Sequence, residues 1–212
     1  MAPNSALARL LEHPGIWRGT SVARTEVLSS GFAALDERLP GGGWPRNGLI
    51  EILTPRFGVG ELPLFLPVLA ALTSAPMARS AVWVSPPLEP FAPALAAHGV
   101  ALERVLVVRA PAALKSGALW AFEQSLVSGA CDFVMAWDQR PRPKQIRRLQ
   151  LAAEQGRALG VLFRPLQAAR ESSHAALRMV VEPSELGVRV NLLKSKGGVR
   201  GTVDLNLTAA GS

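Results

Sequence analysis

Short apolar runs separated by helical stretches fill the middle of the chain, and this alternation constrains the fold more than any other feature. Five runs have the length and composition of buried strands: 49–53, 81–84, 105–108, 133–137 and 161–163. Helical patterns lie between them at 62–73, 91–98, 114–127 and 144–155. Continuous apolar strands that alternate with helices indicate a parallel sheet covered on both faces.

The pattern changes at both ends of this region. Residues 177–181, 188–193 and 203–207 are predicted to be successive strands with turn residues between them, which indicates an antiparallel C-terminal end. Leu7, Leu10 and Leu11 have the spacing of a short amphipathic helix, and a polar stretch follows it. We therefore expect an N-terminal helix and linker at 1–29, an α/β core at 30–208 and a tail at 209–212.

Composition narrows the class of protein. A chain of 212 residues that is 49% hydrophobic can bury one core. Its single cysteine, Cys131, excludes an intramolecular disulfide framework and a cysteine-based zinc cluster. The three histidines have no metal-ligand spacing, so no metal or cofactor is expected. The sequence shows no signal peptide and no stretch long enough to span a membrane, which favours a cytoplasmic protein.

Positive charge is concentrated in one third of the chain. Residues 139–200 contain 13 lysine and arginine residues and 4 acidic residues, whereas residues 1–138 contain 10 and 11. Such an asymmetry favours an anionic partner, although a solvated arginine-rich surface gives the same pattern.

The segment after the first apolar run lies where P-loop proteins bind nucleotide phosphate, between a strand and a helix. If Gly60 is the second glycine of the pattern G-x-x-x-x-G-K-[ST], then Glu61 replaces the lysine and Leu62 replaces the hydroxyl residue. A carboxylate repels phosphate, and leucine cannot ligate Mg²⁺. ATP hydrolysis is therefore not expected. The residues assigned to this degenerate loop are Thr54, Arg56, Gly58, Gly60, Glu61 and Leu62.

From about residue 30 to residue 207 the chain resembles the RecA recombinase core. Residues 31–36 (GFAALD) and 41–52 (GGGWPRNGLIEI) resemble the RecA segment that enters its Walker A strand. Residues 133–138 (FVMAWD) resemble the Walker B strand, which places Asp138 at its acidic end. Residues 190–196 (VNLLKSK) resemble the late strand whose two lysines reach across the RecA subunit interface. This resemblance implies a RecA-like core.

The departures from RecA point to a narrower family. The segment 84–90 (VSPPLEP) has prolines at the place where RecA carries its catalytic glutamate. The P-loop is degenerate as well. A RecA-like chain of this length, with Ile16-Trp17-Arg18-Gly19 after its N-terminal helix, resembles the ImuA family, which is also described as SulA-like.

The resemblance implies a non-catalytic accessory protein of SOS-induced translesion DNA synthesis. Its implied partners are an ImuB-like protein, RecA or both, and homo-oligomers are a further candidate assembly. Two alternatives are a SulA-like inhibitor of the division protein FtsZ and a RecA-like ATPase with an unusual loop.

Two candidate surfaces follow from the residue pattern. A basic run after the fourth predicted strand is a candidate site for DNA or an acidic partner, together with two lysines that alternate on a late strand. An exposed face of the N-terminal helix is a candidate docking element, and packing onto its own core is the alternative. Trp137 is a candidate for stacking on a base, although a tryptophan at a strand end is more often part of the core. The basic candidates are Arg140, Arg142, Lys144, Arg147, Arg148, Lys194 and Lys196, and the docking candidates are Leu7, Leu10, Leu11 and Trp17.

Overall fold

A computed structural model describes residues 26–110, 116–137, 141–185, 187–195 and 200–207 of the chain. The strands are β1 (Val27–Leu28), β2 (Trp44–Pro45), β3 (Gly48–Thr54), β4 (Ser80–Val84), β5 (Val105–Val108), β6 (Cys131–Trp137), β7 (Leu159–Pro165), β8 (Leu177–Ser184), β9 (Gly187–Ser195) and β10 (Gly201–Asn206). The α-helices are α1 (Ala33–Asp36), α2 (Leu66–Ser74), α3 (Ala92–Ala97), α4 (Gly117–Val127) and α5 (Pro143–Gly156). Short 3₁₀ turns occupy Pro40–Gly42, Pro63–Phe65, Leu102–Arg104 and Leu166–Arg170.

Eight of these strands form one mixed sheet in the order β10-β9-β8-β3-β7-β6-β4-β5. The strands from β8 to β5 in this order pair in parallel, whereas β9 and β10 are antiparallel to their neighbours. The predicted fold class is thus confirmed at the level of a mostly parallel sheet with antiparallel strands at the C-terminal end.

Strand β3 lies at the centre of this sheet, and all seven of its residues are buried. Ile50 and Ile52 face the larger apolar cluster, which includes residues of α1, α2 and α3. Leu49 faces the second cluster, which is formed largely by α4 and α5. Burial on both faces explains why this strand is a continuous apolar run interrupted only by Glu51.

Glu51 is held by two buried arginines from the neighbouring strands. Its Oε1 accepts a hydrogen bond from Arg164 Nη1 of β7 at 2.8 Å, and its Oε2 lies 3.2 Å from Arg178 Nε of β8. Arg164 also binds the half-exposed carboxylate of Glu171 at 2.8 Å. Arg178 donates to the main-chain oxygens of Ala168 and Glu171. The cluster therefore joins three strands to the Leu166–Arg170 turn that covers them.

Burial by itself would lower the pKa of Arg164. Its hydrogen bonds to Glu171 and Glu51, together with their negative charges, outweigh this effect and raise the pKa above its ordinary value. The guanidinium consequently stays charged, and Glu51 keeps a positively charged neighbour inside the protein.

Two parts of the prediction were wrong in detail. Residues 27–28, which were assigned to the linker, form β1 and pair antiparallel with β2. The predicted helix at 62–73 begins as the 3₁₀ turn Pro63–Phe65 and becomes α-helical only at Leu66. Both Pro63 and Pro67 lack an N–H, so each stands in the first turn of its helical segment, where no such donor is needed.

Replacing Arg164 by methionine should destabilise the fold strongly, because it leaves the buried Glu51 carboxylate with one cationic neighbour fewer. We expect a loss of about 3–5 kcal/mol in the free energy of unfolding, measured by urea denaturation. Arg170→Met, at the exposed end of the Leu166–Arg170 turn, is the matched control and should change stability by no more than about 0.5 kcal/mol. Equal losses in the two variants would contradict this account.

Candidate functional site

The segment from Pro55 to Leu62 leaves the carboxyl end of β3 and leads into the Pro63–Phe65 turn and α2. Carboxyl ends of parallel strands are where open α/β sheets bind their ligands. Gly58 and Gly60 have φ angles of +83° and +104°, a region that favours glycine. These two glycines turn the chain back on itself within the loop.

The carboxylate of Glu61 lies inside this turn. Its Oε1 accepts a hydrogen bond from the N–H of Gly58 at 2.7 Å, and its Oε2 accepts one from the N–H of Val59 at 2.8 Å. Only 4% of the Glu61 surface is exposed. Hydrogen bonds to an ionised acceptor are shorter and stronger than those between neutral groups. Two main-chain donors of the loop are therefore already bound to an anion that belongs to the chain itself.

Gly60 packs the loop against the C-terminal strands. A Cβ atom on Gly60 would lie 2.7 Å from Val188 Cγ1 and 2.9 Å from Leu207 Cδ1, closer than side chains approach one another. This contact, together with the positive φ of Gly60, makes a larger residue unfavourable there. The loop is consequently held from outside by β9 and the end of β10, and from inside by Glu61.

The other residues assigned to the loop differ from Glu61 in polarity and burial. Leu62 is partly buried and packs against the larger apolar cluster. Thr54 is buried, and its Oγ1 has no hydrogen-bond partner among the described residues. Arg56 is exposed. The group bound by the N–H donors of Gly58 and Val59 is thus the Glu61 carboxylate, and a carboxylate at close range repels a phosphate group.

The described residues contain no group of three or more His, Cys, Asp or Glu side chains that could hold a metal ion. The same residues form no helix that is long and apolar enough to cross a membrane.

The basic run after β6 forms an exposed surface on α5. Arg142, Lys144, Arg147 and Arg148 are all exposed, because α5 turns Ile146 and its other apolar residues towards the sheet. Arg148 forms an ion pair with Glu123 of α4. The hydrogen bond to Glu123, and then its negative charge, raise the pKa of Arg148. Arg148 thus ties the two helices together, whereas Arg142, Lys144 and Arg147 are exposed cations.

Lys194 has a different environment from the other basic candidates. Its Nζ donates to the main-chain oxygens of Ser173 at 2.8 Å and Ala175 at 2.7 Å. The ammonium group thereby links β9 to the segment before β8 and is engaged within the fold. The remaining candidates lie outside the described residues: Leu7, Leu10, Leu11, Trp17, Asp138, Arg140 and Lys196.

Two tryptophans have different environments: Trp137 belongs to the core, which is the alternative that the sequence favoured, whereas Trp120 is exposed. Trp137 stacks on Phe163, with ring centroids 4.8 Å apart, and contacts Trp83, so it packs against the core. Trp120 of α4, which the sequence analysis did not single out, is 64% exposed. Arg164 and Arg178 are buried and pair with Glu51, so neither guanidinium faces solvent.

Comparison with known proteins identifies the family. The cell division inhibitor SulA of Edwardsiella piscicida is 30% identical to this chain over 139 residues, which cover 63% of this chain and 81% of that protein. The protein ImuA of Caulobacter vibrioides is 27% identical, and the match covers 88% of this chain and 86% of that protein. The chain belongs to the SulA/ImuA family.

Two further matches are SulA proteins, and each covers a smaller share of this chain. SulA of Photorhabdus laumondii is 32% identical over 101 residues, which make up 48% of this chain and 56% of that protein. The crystal structure of SulA from Pseudomonas aeruginosa is 25% identical, with a TM-score of 0.45, and covers 55% of this chain and 97% of that chain. No protein-family model matches this member of the family.

Glu61→Gln should loosen the loop, because the NH₂ group that replaces one carboxylate oxygen cannot accept a hydrogen bond from a main-chain N–H. We expect a loss of about 1–3 kcal/mol in the free energy of unfolding and faster hydrogen exchange at Gly58 and Val59. Glu103→Gln, on the exposed Leu102–Arg104 turn, is the matched control and should change stability by about 0.5 kcal/mol at most. Unchanged exchange at Gly58 and Val59 would show that the carboxylate does not hold the loop.

Proposed function

We propose that this chain is a non-catalytic accessory protein of SOS-induced translesion DNA synthesis, an adaptor built on a RecA-like core. The observation that carries this proposal is the match to ImuA, which extends over 88% of the chain. The SulA matches cover 63% and 48% of it. ImuA-like function therefore accounts for more of the chain than SulA-like function does.

The loop at the end of β3 supports a binding function over a catalytic one. We interpret it as a degenerate phosphate loop in which Glu61 occupies the position of a bound anion. A nucleotide phosphate would have to displace the Glu61 carboxylate from the N–H groups of Gly58 and Val59. It would also be repelled by that carboxylate at close range. No lysine or hydroxyl follows Gly60 to compensate, because Glu61 and Leu62 stand there.

The proposed partners are an ImuB-like protein, RecA or both, with DNA as a candidate ligand of the basic surface on α5. The N-terminal leucines, Leu10 and its neighbours, are proposed to dock on a protein partner through their apolar face. The two surfaces would then bind different partners, because the N-terminal face is apolar and the surface on α5 is strongly cationic.

Inhibition of cell division is the second candidate function. It is favoured by the Edwardsiella SulA match, which has the higher identity, 30%, and covers 81% of that protein. A SulA-like protein would act on FtsZ and would need no nucleotide site, so the loop geometry is compatible with both functions.

A binding assay separates the two functions. We expect the full-length protein to co-elute with a purified ImuB-like protein, with RecA or with both in size-exclusion chromatography, and to leave FtsZ polymerisation unchanged. Leu10→Asp should weaken that association, because it places a charge on the apolar face of the N-terminal helix. Glu103→Gln is the control that should keep it. Absence of both interactions, with inhibition of FtsZ polymerisation, would replace the adaptor function by the alternative.

A further inference from the structure

Trp120 is a large aromatic side chain that the fold leaves in solvent. It lies on α4, whose buried residues are Leu119, Phe122 and Leu126, and 64% of its surface is exposed. Tryptophan offers more apolar and π surface than any other side chain, and its exposure is therefore informative about binding. Nothing in its own helix requires a tryptophan at this position.

The position of Trp120 relative to α5 follows from one ion pair and the topology. Glu123 lies one helical turn after Trp120 on α4, and it pairs with Arg148 of α5. Both helices precede parallel strands, β6 and β7, and both pack on the same side of the sheet, so they run in the same direction. One turn before Arg148 on α5 is Lys144. Trp120 therefore lies beside the first turns of α5, next to Lys144 and Arg148.

The first half of α5 gives this region a positive charge. Arg142, Lys144 and Arg147 are exposed there, and Leu151 follows on the same outer side with 54% of its surface exposed. The Glu123 carboxylate offsets one arginine, and the others keep their charge. We define the α4–α5 face as the exposed residues Trp120, Arg142, Lys144, Arg147, Arg148 and Leu151.

We propose that the α4–α5 face binds single-stranded nucleic acid, with Trp120 stacking on a base and the cations of α5 contacting the phosphates. Proteins that bind single strands combine a positively charged track with aromatic side chains on which bases stack. A duplex fits less well, because its bases already stack on one another. An acidic protein would also be attracted, but protein interfaces centre on a wider apolar patch than one tryptophan and one leucine provide.

This inference names the ligand of the basic surface and so deepens the proposed function. It rests on that function for the expectation that the ligand is met at damaged DNA. It also replaces Trp137 by Trp120 as the stacking residue, because Trp137 packs against Phe163 in the core. The ligand class comes from charge and exposure alone, and it requires no nucleotide at the loop after β3.

The test is fluorescence anisotropy with a labelled oligo(dT) of about 16 nucleotides and the full-length protein. Trp120→Ala should weaken binding by about 5- to 150-fold, whereas Trp120→Phe, which keeps an aromatic ring, should retain most of the affinity. Lys144→Ala and Arg147→Ala should each reduce the slope of log affinity against log salt by about 0.7. Arg104→Ala, an exposed arginine before β5, is the charge-matched control and should leave the slope unchanged.

Two results would overturn the inference. One is equal affinity of Trp120→Ala and the unaltered protein for oligo(dT), provided that thermal unfolding shows both to be folded. The other is a Trp120→Ala variant that loses the ImuB-like protein or RecA but keeps oligo(dT), which would assign the face to a protein partner. If the face binds oligo(dT) as expected while neither protein partner co-elutes, the adaptor function fails and this inference stands.

Discussion

Glu51 lies in the middle of the central strand without exposed surface, and its charge is balanced by Arg164 from one neighbouring strand and Arg178 from the other. Taking these groups out of water costs several kcal/mol for each ion, so the cluster is tolerated only because every charge meets an opposite one. Since β3 lies between β7 and β8, the cluster links three neighbouring parallel strands, and β8 is also the strand at which the antiparallel end of the sheet begins. The loop after β3 follows this strand directly, so its position depends on that of β3.

The loop after β3 also contains a buried carboxylate whose oxygens are paired with donors. Its main-chain N–H groups are paired with an internal carboxylate, and its second glycine is locked against Val188. In the degenerate phosphate loop that we propose, the Glu61 carboxylate takes the place of an exchangeable anionic ligand. Such a loop can preserve the shape of the fold and the placement of the surrounding surfaces without any nucleotide, which is what a binding protein requires.

Local sequence patterns predicted most of the strands and helices, because apolar periodicity is set by residues close together in the chain. That Glu61 and Leu62 oppose phosphate also follows from residue type, and it stays a prediction. The burial of Arg164 could not be predicted in this way, because its partner Glu51 is 113 residues away in sequence. The same holds for Trp120 and Trp137: both lie in apolar stretches, and only the packing of the helices shows which one is exposed.

We propose that the Glu61 carboxylate prevents phosphate from binding to the loop after β3. Isothermal titration calorimetry of the full-length protein with ATP and Mg²⁺ tests it most directly, with Arg56→Ala as the companion variant because Arg56 is the exposed cation of the loop. We expect no binding heat at micromolar concentrations for either protein. Micromolar binding by the unaltered protein that is abolished in Arg56→Ala would contradict it, and the loop would then be a working nucleotide site.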